Sequence, residues 1–456
     1  MHNLLTEEVY QRWAPVLEHK DLGAIGDPWK RRTVAQCLHN TEIELTNEAI
    51  NQNPHLRHYL AENPIAANFM GASSSTAGDG AIDIFDPILI NLVRRGVPNL
   101  MAYDVAGVQP MTGPTGLIFA LRSRYTSQSG AEAFFNEVNT AFTSVVGGAN
   151  TLGDKHAGSL PGNSTVTANL AETGLYNFAG AMSTAQAEAL GTDSNTAWPE
   201  MAFSIEKVTV TAKSRALAAE YTMEIAQDLK AVHGLDAEAE LANILSTEIM
   251  AEINREVIRT ILVTAKQGSQ TNTTNAGFFD LDIDSNGRWM VEKFKGLIFH
   301  IERERNAIAK ATRRGRGNIM ITTSDIASAL NAAGKLSLPS DINPNLSTDD
   351  TGNTFVGTMN GMKVYIDPYV AGGNYMVIGY KGATPYDAGL FYCPYVPLQQ
   401  VRAVWPGNFG PRIGFKTRYG MVANPFAGGY DNGAGQGALL KDSNVYYARS
   451  IVTNIM

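Results

Sequence analysis

Apolar residues recur every three or four positions over residues 236–266, which is the longest regular pattern in the chain. This spacing places them on one stripe of an α-helix. Asp236 stands before the pattern as an N-cap, and two glutamates in the early turns suit the helix dipole. We therefore predict a helix of roughly 45 Å with one buried face. The stripe consists of Leu241, Ile244, Leu245, Ile249, Ile253, Val257, Ile261 and Leu262.

A second helical pattern covers residues 291–314, and Gly315 follows it as the expected C′ glycine. After it, "NIMITT" predicts a strand and "SDIASALNAA" a short capped helix. Asn360-Gly361 lies between two apolar runs, which is a strong signal for a two-residue β-hairpin. Further strands are predicted in "YMVIGYKG" and "AGLFYCPYV". Together these elements indicate an α+β protein built around one long helix.

From Pro98 the sequence becomes strand-like in "NLMAYDVAGVQPM" and "GLIFALRSRYT", which Gly113-Pro114 separates. In residues 201–222, Phe203, Ile205, Val208 and Val210 alternate with polar residues, which predicts a half-buried strand. Between these strands, residues 127–200 are rich in Ala, Gly, Ser, Thr and Asn. The pattern indicates a long hairpin with an inserted module at its tip.

Residues 1–62 form a separate helical segment. Thr6 is the expected N-cap of a first amphipathic helix, and a second helix covers residues 29–45. The segment is either a helical subdomain or a detachable piece that docks on a partner. The Gly- and Ser-containing residues after 62 have little periodicity, which suits an extended arm.

Composition excludes several classes of protein. The net charge of −8 argues against a protein that holds nucleic acid through its overall field. No run of eighteen apolar residues and no signal-peptide pattern is found. Two distant cysteines, Cys37 and Cys393, suit a reducing compartment and are too few for a metal site.

The stretch "FFDLDIDSNGRWMVEKF" resembles a calcium loop, because Asp282, Asp284 and Asn286 alternate before Gly287. The twelfth position, however, carries Lys293 where such a loop needs a bidentate glutamate. We therefore predict a polar turn in which Asp and Asn bond their own backbone and Gly287 takes a positive φ, with no metal.

Nothing in the chain resembles a catalytic motif: no Ser-His-Asp context, phosphate loop or HExxH is present. We expect no catalytic residue, no cofactor and no metal. Arginines cluster near the end of the second helix. They form either a phosphate or RNA site, or a charged helix end that pairs with carboxylates of a neighbouring subunit, and we favour the second. The cluster comprises Arg303, Arg305, Arg313, Arg314 and Arg316.

Four long blocks of sequence resemble the major capsid protein of T-even-like myoviruses, which are tailed bacteriophages. They are "VPNLMAYDVAGVQPMTGPTGLIFALRSRY", "AEYTMEIAQDLKAVHGLDAEAELANILSTEIMAEINREV", "VIGYKGATPYDAGLFYCPYVPL" and "GFKTRYGMVANPF". The similarity covers most of residues 80–430, and the composition resembles the cyanophage-like branch.

The resemblance implies the tailed-phage, Hong Kong 97-like capsid fold. Residues 127–200 are where the chain departs from the larger insertion of the T-even type. The implied parts are a helical N-terminal segment and propeptide (1–62), an N-terminal arm (63–96), an extended loop with peripheral strands (97–126 and 201–222), an insertion domain (127–200), a peripheral domain with the spine helix (223–317), an axial domain (318–400), and a return to the peripheral domain with the C-terminus (401–456).

The resemblance also implies maturation by a prohead protease that cuts after Glu in a Leu/Ile-x-Glu context. Leu60 and Glu62 fit this context, and cleavage would leave Asn63 as the new N-terminus. The implied function is a structural one, in which copies form hexamers that close a shell around double-stranded DNA without reading its sequence. The implied partners are a vertex protein, scaffold, the protease, decoration proteins and a host chaperonin. The expected location is the virion capsid, and the alternative is another virion protein such as a tail or adhesion component.

Overall fold

The computed structural model describes residues 2–18, 25–52, 100–134, 138, 142–143, 182–192, 197–334 except 272, 286 and 288, 336, 355–370, 373–404, 410–428 and 437–455. The chain divides into two compact units. One contains Ile118–Val208 and Gly428–Gln436, and the other contains Met1–Leu117, Thr209–Ala427 and Gly437–Met456.

Helices and strands both contribute, so the predicted α+β class is confirmed. The described helices are α1 (His2–Leu17), α2 (Pro28–Gln52), α3 (Ala102–Val105), α4 (Thr184–Glu188), α5 (Met223–Val232), α6 (Ala237–Thr264), α7 (Met290–Thr312) and α8 (Ser324–Ala332). The strands are β1 (Gly107–Val108), β2 (Thr115–Tyr125), β3 (Met201–Thr211), β4 (Lys213–Glu220), β5 (Ala265–Gln267), β6 (Phe278–Asp280), β7 (Ile319–Thr322), β8 (Phe355–Met359), β9 (Met362–Ile366), β10 (Asn374–Gly379), β11 (Leu390–Val404), β12 (Pro411–Ala423) and β13 (Asn444–Thr453).

The long helix α6 begins where the sequence predicts. The side chain of Asp236 accepts a hydrogen bond of 3.1 Å from the backbone N–H of Glu238, which satisfies one of the free donors of the first turn. Its 28 residues give a length of about 42 Å. Most of the predicted stripe is buried, from Leu245 to Ile261. Ile244 is an exception, since 61% of its surface is exposed.

The second long helix, α7, ends earlier than predicted. Its last residue is Thr312, and Arg313 takes the left-handed conformation (φ 55°) in place of the expected Gly315. Gly315 is needed for another reason. A Cβ built on it would come within 2.5 Å of the Tyr380 ring, so only glycine allows this close approach.

A seven-stranded sheet forms the larger core. Its order is β5-β13-β10-β7-β9-β8, and β6 also pairs with β13. The predicted hairpin joins β8 and β9, and both Asn360 (φ 47°) and Gly361 (φ 77°) have the positive φ that a type I′ turn requires. Residues of α7 and α8 pack on this sheet, with Leu297, Ile326 and Met320 fully buried.

A four-stranded sheet has the order β1-β11-β12-β4. The region before it differs from the sequence prediction, because "NLMAYDVAGVQPM" forms the short helix α3 and only a two-residue strand. Thr6 also differs from its prediction. Helix α1 begins at His2, so Thr6 lies within the helix instead of capping it.

Candidate assembly surface

Strands β2 and β3 pair as a two-stranded ribbon. At its far end the backbone N–H of Thr126 donates to the carbonyl oxygen of Glu200 over 2.9 Å. Successive side chains of a strand point to opposite faces, so a ribbon of this kind has two faces of different composition.

One face of the ribbon is apolar and exposed. Its large side chains come from alternate positions of the two strands, as the pleat requires. A contiguous group of this kind is unusual on the surface of a protein that acts as a monomer, and it marks an interaction site. This face, the ribbon apolar face, consists of Phe119, Leu121, Met201, Phe203 and Ile205, which are between 52% and 65% exposed.

The opposite face of the ribbon is charged and buried. Arg122 is only 2% exposed, and its guanidinium lies 3.3 Å from Glu132 Oε2 and 3.1 Å from Glu206 Oε2. Arg124 donates to Ser204 Oγ over 2.8 Å and pairs with Glu206 over 3.3 Å. Charges removed from water are costly unless they are paired, and here each guanidinium has a carboxylate within reach.

The ribbon is therefore inverted relative to an ordinary surface hairpin, with its ions inside and its apolar residues outside. The sequence predicts alternation for Phe203 and Ile205 and so a half-buried strand. In the structure, Val208 and Val210 are buried, but Phe203 and Ile205 are exposed. Pattern alone identifies two faces and does not say which of them is covered within one subunit.

A second apolar surface lies on helix α5. None of its residues is buried, although it carries apolar side chains on one side. Thr222 caps its N-terminus with a hydrogen bond of 3.4 Å to the backbone N–H of Ile225. Met223, Ile225 and Val232 are each more than half exposed. The sequence singles out neither this helix nor the arginines of the ribbon as functional.

The predicted arginine cluster is spread over several environments. Arg303 donates to the carbonyl oxygen of Thr271 over 2.7 Å, and Arg305 is buried, where it donates to the carbonyl oxygen of Gly317 and to Glu302 over 2.6 Å each. Arg313 donates to the carbonyl oxygen of Lys310 over 2.9 Å. Of these three arginines, only Arg313 donates to a carbonyl of its own helix, while Arg303 and Arg305 donate to carbonyls outside it.

Arg313 and Arg316 are the exposed arginines of the cluster, and Arg303 and Arg314 are half-buried. Arg314 is 3.3 Å from Asp387 of the same chain and lies over the ring of Phe426, while Arg316 is exposed. Of the five arginines, Arg305 makes its contacts inside the subunit, so only the exposed arginines can contact a neighbouring subunit. Their pairing with another subunit stays a prediction.

The calcium-like segment is a turn held by protein donors. The carboxylate of Asp284 accepts hydrogen bonds from the backbone N–H and the hydroxyl of Thr274 and from the N–H of Asp280, at 2.8–3.0 Å. Burial alone would raise the pKa of Asp284, but these hydrogen bonds hold it below its usual value. Lys293, at the twelfth position, pairs with Asp282 at the first.

Gly287 has the predicted positive φ, although its value of 158° is close to extended backbone. Its Cβ would meet that of Glu292 at 2.7 Å, so space explains the glycine. Asn286 lies outside the described residues. Within the described part of the chain, no group of three or more His, Cys, Asp or Glu is placed to hold a metal, and no helix could span a membrane.

The predicted processing residues Leu60, Glu62 and Asn63 lie outside the described residues, as do the arm at 63–96 and most of the insertion at 127–200. The two cysteines are described, and both are buried free thiols. Burial raises the pKa of each thiol to about 12, so neither is a reactive nucleophile.

Sequence comparison identifies the family and the relatives of this chain. The profile of the family described as "Major capsid protein Gp23" matches residues 82–452. The chain belongs to this family. The major capsid protein of Serratia phage KSP90 is 38% identical over an alignment of 467 residues, which covers 99% of both chains. That of Enterobacteria phage T4 is 36% identical and covers 92% of both.

A second T4 protein is also related. The capsid vertex protein of that phage is 30% identical over 242 residues, which is 49% of this chain and 53% of the vertex protein. Among solved structures, a chain from the capsid of myovirus XM1 has a TM-score of 0.37 at 7% identity and covers 78% of this chain and 92% of its own length. This structural likeness is distant.

The Gp23 family membership confirms the resemblance seen in the sequence, and this chain is a structural component of a phage head shell. The alternative of a tail or adhesion protein is wrong. The assignment to the cyanophage-like branch and the domain boundaries inferred from the resemblance stay predictions.

Proposed function

We propose that this subunit builds the shell by packing its ribbon apolar face against another copy of the same chain within hexameric capsomers. The observation that carries the proposal is the inversion of the ribbon. A strand pair that buries Arg122 and exposes Phe203 in a single subunit is stable as a surface only when a second molecule covers the apolar side.

The chemistry of the face favours a protein partner. Aromatic and Met side chains are enriched at the centres of protein interfaces, and charged residues are depleted there. Each large aromatic side chain can bury on the order of 150–250 Å². The face contains two aromatic rings, so its burial stabilises an interface that many neighbouring contacts then reinforce through avidity. The exposed side of α5 is a suitable second contact for the same reason.

Phe203→Asp tests this proposal. It places a carboxylate at the centre of the ribbon apolar face, where an interface would have to bury it without a partner. We expect folded subunits that no longer form shells, as seen by negative-stain electron microscopy and sedimentation velocity. Circular dichroism and a thermal melt would confirm that the subunit is folded.

Lys441→Asp is the control, because Lys441 is an exposed lysine outside the ribbon. We expect it to assemble nearly as well as the unmodified chain. Shells in normal yield from Phe203→Asp would show that the ribbon apolar face is not an interface and would remove the proposal.

We also infer that assembly is made irreversible by cleavage after Glu62. The support is the Leu-x-Glu context at Leu60 and the following Asn63-Pro64, which disfavours helix before the proline. Removing residues 1–62 takes away nine acidic and six basic residues, so the net charge changes little. The benefit of cleavage would be more space inside the shell and an irreversible assembly.

Mass spectrometry of mature particles tests the cleavage. A capsid chain that begins at Asn63 supports it, and a chain that retains His2 rules it out. Glu62→Gln should block the cut and hold particles in an immature form, whereas Glu48→Gln removes a nearby glutamate that lacks the Leu-x-Glu context and should be processed normally.

A dedicated vertex protein is the partner best supported by the comparisons, because a capsid vertex protein shares about half of its length with this chain. Two related proteins can occupy hexamers and vertices through the same surfaces. Scaffold, protease, decoration proteins and a chaperonin are proposed only from the resemblance. The acidic balance of the chain suits contact with packaged DNA that must slide and not adhere.

A further inference from the structure

Helix α2 is not a free appendage, because its middle is buried on all sides by its own chain. A run of its residues has almost no exposed surface, although the helix lies in the segment that the proposed cleavage would separate. Such complete burial is typical of a core helix. The buried side chains are Thr33, Val34, Ala35, Cys37, Leu38, Asn40 and Thr41.

Asn40 anchors the helix by two buried hydrogen bonds to backbone carbonyls. Its Nδ2 donates to Met111 O over 2.7 Å and to Tyr395 O over 2.8 Å. Its Oδ1 accepts from Gln36 of the same helix over 3.1 Å. The amide is thus fully satisfied, and removing it would leave the carbonyls of Met111 and Tyr395 without donors in a dry environment.

The first turn of α2 makes polar contacts with α3 and β1. The indole Nε1 of Trp29 donates to Val108 O over 3.1 Å. The ammonium of Lys30 is 3.7 Å from Asp104 and lies 5.6 Å from the centre of the Tyr103 ring. We call the residues contacted in these ways, Tyr103, Asp104, Val108, Met111 and Tyr395, the α2-binding surface.

Helix α1 is attached to α2 by ion pairs. Arg32 of α2 pairs with Glu7 of α1 over 3.2 Å, and Arg12 of α1 pairs with Glu42 of α2. Trp13 of α1 is buried. The two helices therefore form one body, and whatever holds α2 also holds α1.

We propose that cleavage after Glu62 does not by itself release the N-terminal segment: α2 remains bound to the α2-binding surface as a non-covalent ligand, and release requires that surface to change shape. The proposal rests on the proposed processing and extends it. Glu62 lies 22 positions after Asn40, so none of the contacts named above is broken by the cut.

The surface also has a defined preference for its ligand. It offers three backbone acceptors, at Val108, Met111 and Tyr395, within apolar surroundings, together with the carboxylate of Asp104. The ligand that fits is a helix that places an amide against the carbonyls of Met111 and Tyr395 and a cation near Asp104. A change in the relative position of β1 and β11 would disrupt the fit, because Asn40 bridges the segment after β1 and strand β11.

An engineered cut in the full chain tests the proposal. A site for a specific protease, flanked by Gly-Ser residues, is inserted between Glu62 and Asn63, and denaturing electrophoresis confirms complete cutting. We expect the fragment of residues 1–62 to co-elute with the remainder in size exclusion, and native mass spectrometry to show a one-to-one complex. Cys37 should stay unreactive toward a thiol reagent while the complex persists, since it is buried.

Two variants sharpen the test. Asn40→Ala should accelerate dissociation of the cut fragment by about 10- to 100-fold, because two buried acceptors lose their donor. Arg32→Ala, which removes only an exposed ion pair with Glu7, should change the rate by no more than about 5-fold. A fragment from the unmodified chain that elutes free after the cut would overturn the proposal, as would equal rates for the two variants.

The result of this experiment does not depend on whether the chain is naturally cleaved after Glu62. The protease site is engineered, so retention or loss of the fragment reports only on the α2-binding surface. A virion chain that retains His2 would remove the processing, yet leave the docking of α2 intact.

Discussion

Apolar and polar residues alternate in both the ribbon of β2 and β3 and the seven-stranded sheet. The sheet buries its apolar side chains, whereas the ribbon exposes them. In β9, Met362 and Val364 are fully buried while Lys363 between them is exposed. In β3, Phe203 and Ile205 are exposed while Glu206 is turned inward. The sheet therefore buries its apolar side chains within one subunit, but the ribbon leaves its apolar side chains exposed.

The sheet and the ribbon differ in stability because they remove different groups from water. Burial of apolar surface stabilises the sheet by about 25 cal/mol per Å². The ribbon instead buries Arg122, and the desolvation of an ion is repaid only by well-placed counterions. A monomer gains little from this arrangement, whereas under the proposed assembly the ribbon apolar face would be buried as an interface.

The largest effect is expected from a charge placed in the buried core of the subunit. Ile249 is 1% exposed on α6, so Ile249→Asp would bury a carboxylate with no partner and cost several kcal/mol. We expect loss of soluble protein, measured as the yield of folded subunit. Ile244→Asp is the same change in the same helix at an exposed position and should cost no more than about 1 kcal/mol. Normal yields from Ile249→Asp would show that the stripe is not a core.

The next effect concerns the charges of the ribbon. Arg122→Met removes the cation between Glu132 and Glu206 and leaves buried negative charge, which should cost about 3 kcal/mol. Hydrogen exchange should rise in β2 and β3 and stay unchanged in the seven-stranded sheet. Adding Glu132→Gln and Glu206→Gln should restore much of the protection. If Arg122→Met alone is neutral, the ions do not stabilise the ribbon.

The sequence predicts best where local chemistry determines structure. Asp236 as an N-cap and Asn360-Gly361 as a hairpin turn are confirmed, because each depends on a few neighbouring residues. The end of α7 is not determined locally. Gly315 has the sequence features of a C′ glycine, but contact with Tyr380, 65 positions later in the chain, explains it instead.

The candidate site is less predictable than the fold. Alternation in "LIFALRSRY" separates Arg122 and Arg124 from Phe119 and Leu121, but burial of one face depends on tertiary contacts that no pattern contains. The sequence therefore separates the two faces of the ribbon but does not show which of them is buried within the subunit. The docking of α2 through Asn40 also cannot be predicted from the sequence, since the hydrogen-bond partners of Asn40 lie 71 and 355 positions away.

The third prediction uses His300, a buried histidine of α7. His300 stacks on Phe279 at 4.4 Å, and its Nε2 is 2.8 Å from Ser269 Oγ. Burial, and then the nearby Arg303, lower the pKa of His300 to about 4, against a weaker opposing effect of Asp284. The unfolded chain protonates this histidine near pH 6.5, so protons favour unfolding between about pH 6.5 and about pH 4.

Stability should therefore decrease as the pH is lowered through that window, by about 2 kcal/mol between about pH 7 and about pH 5. Glu304 acts in the opposite direction, because burial raises its pKa. His300→Phe keeps the stacking and removes the titration, so urea unfolding should show a flatter pH dependence. An unchanged slope in this variant would mean that His300 is not the group responsible.

The smallest effect is expected on the ribbon apolar face, and it is the most direct test of the comparison. Leu121 is 65% exposed, while Leu297 in the core under the seven-stranded sheet is fully buried. Leu297→Ala should cost about 2–5 kcal/mol through lost burial and the cavity left behind. Leu121→Ala removes the same atoms but should change the unfolding free energy of the unassembled subunit by no more than about 0.5 kcal/mol.

Denaturant unfolding of both variants measures the difference, and the same preparations can be tested for shell formation. A large loss of subunit stability in Leu121→Ala would mean that the ribbon apolar face is already covered within one chain, and the inversion would then need another explanation.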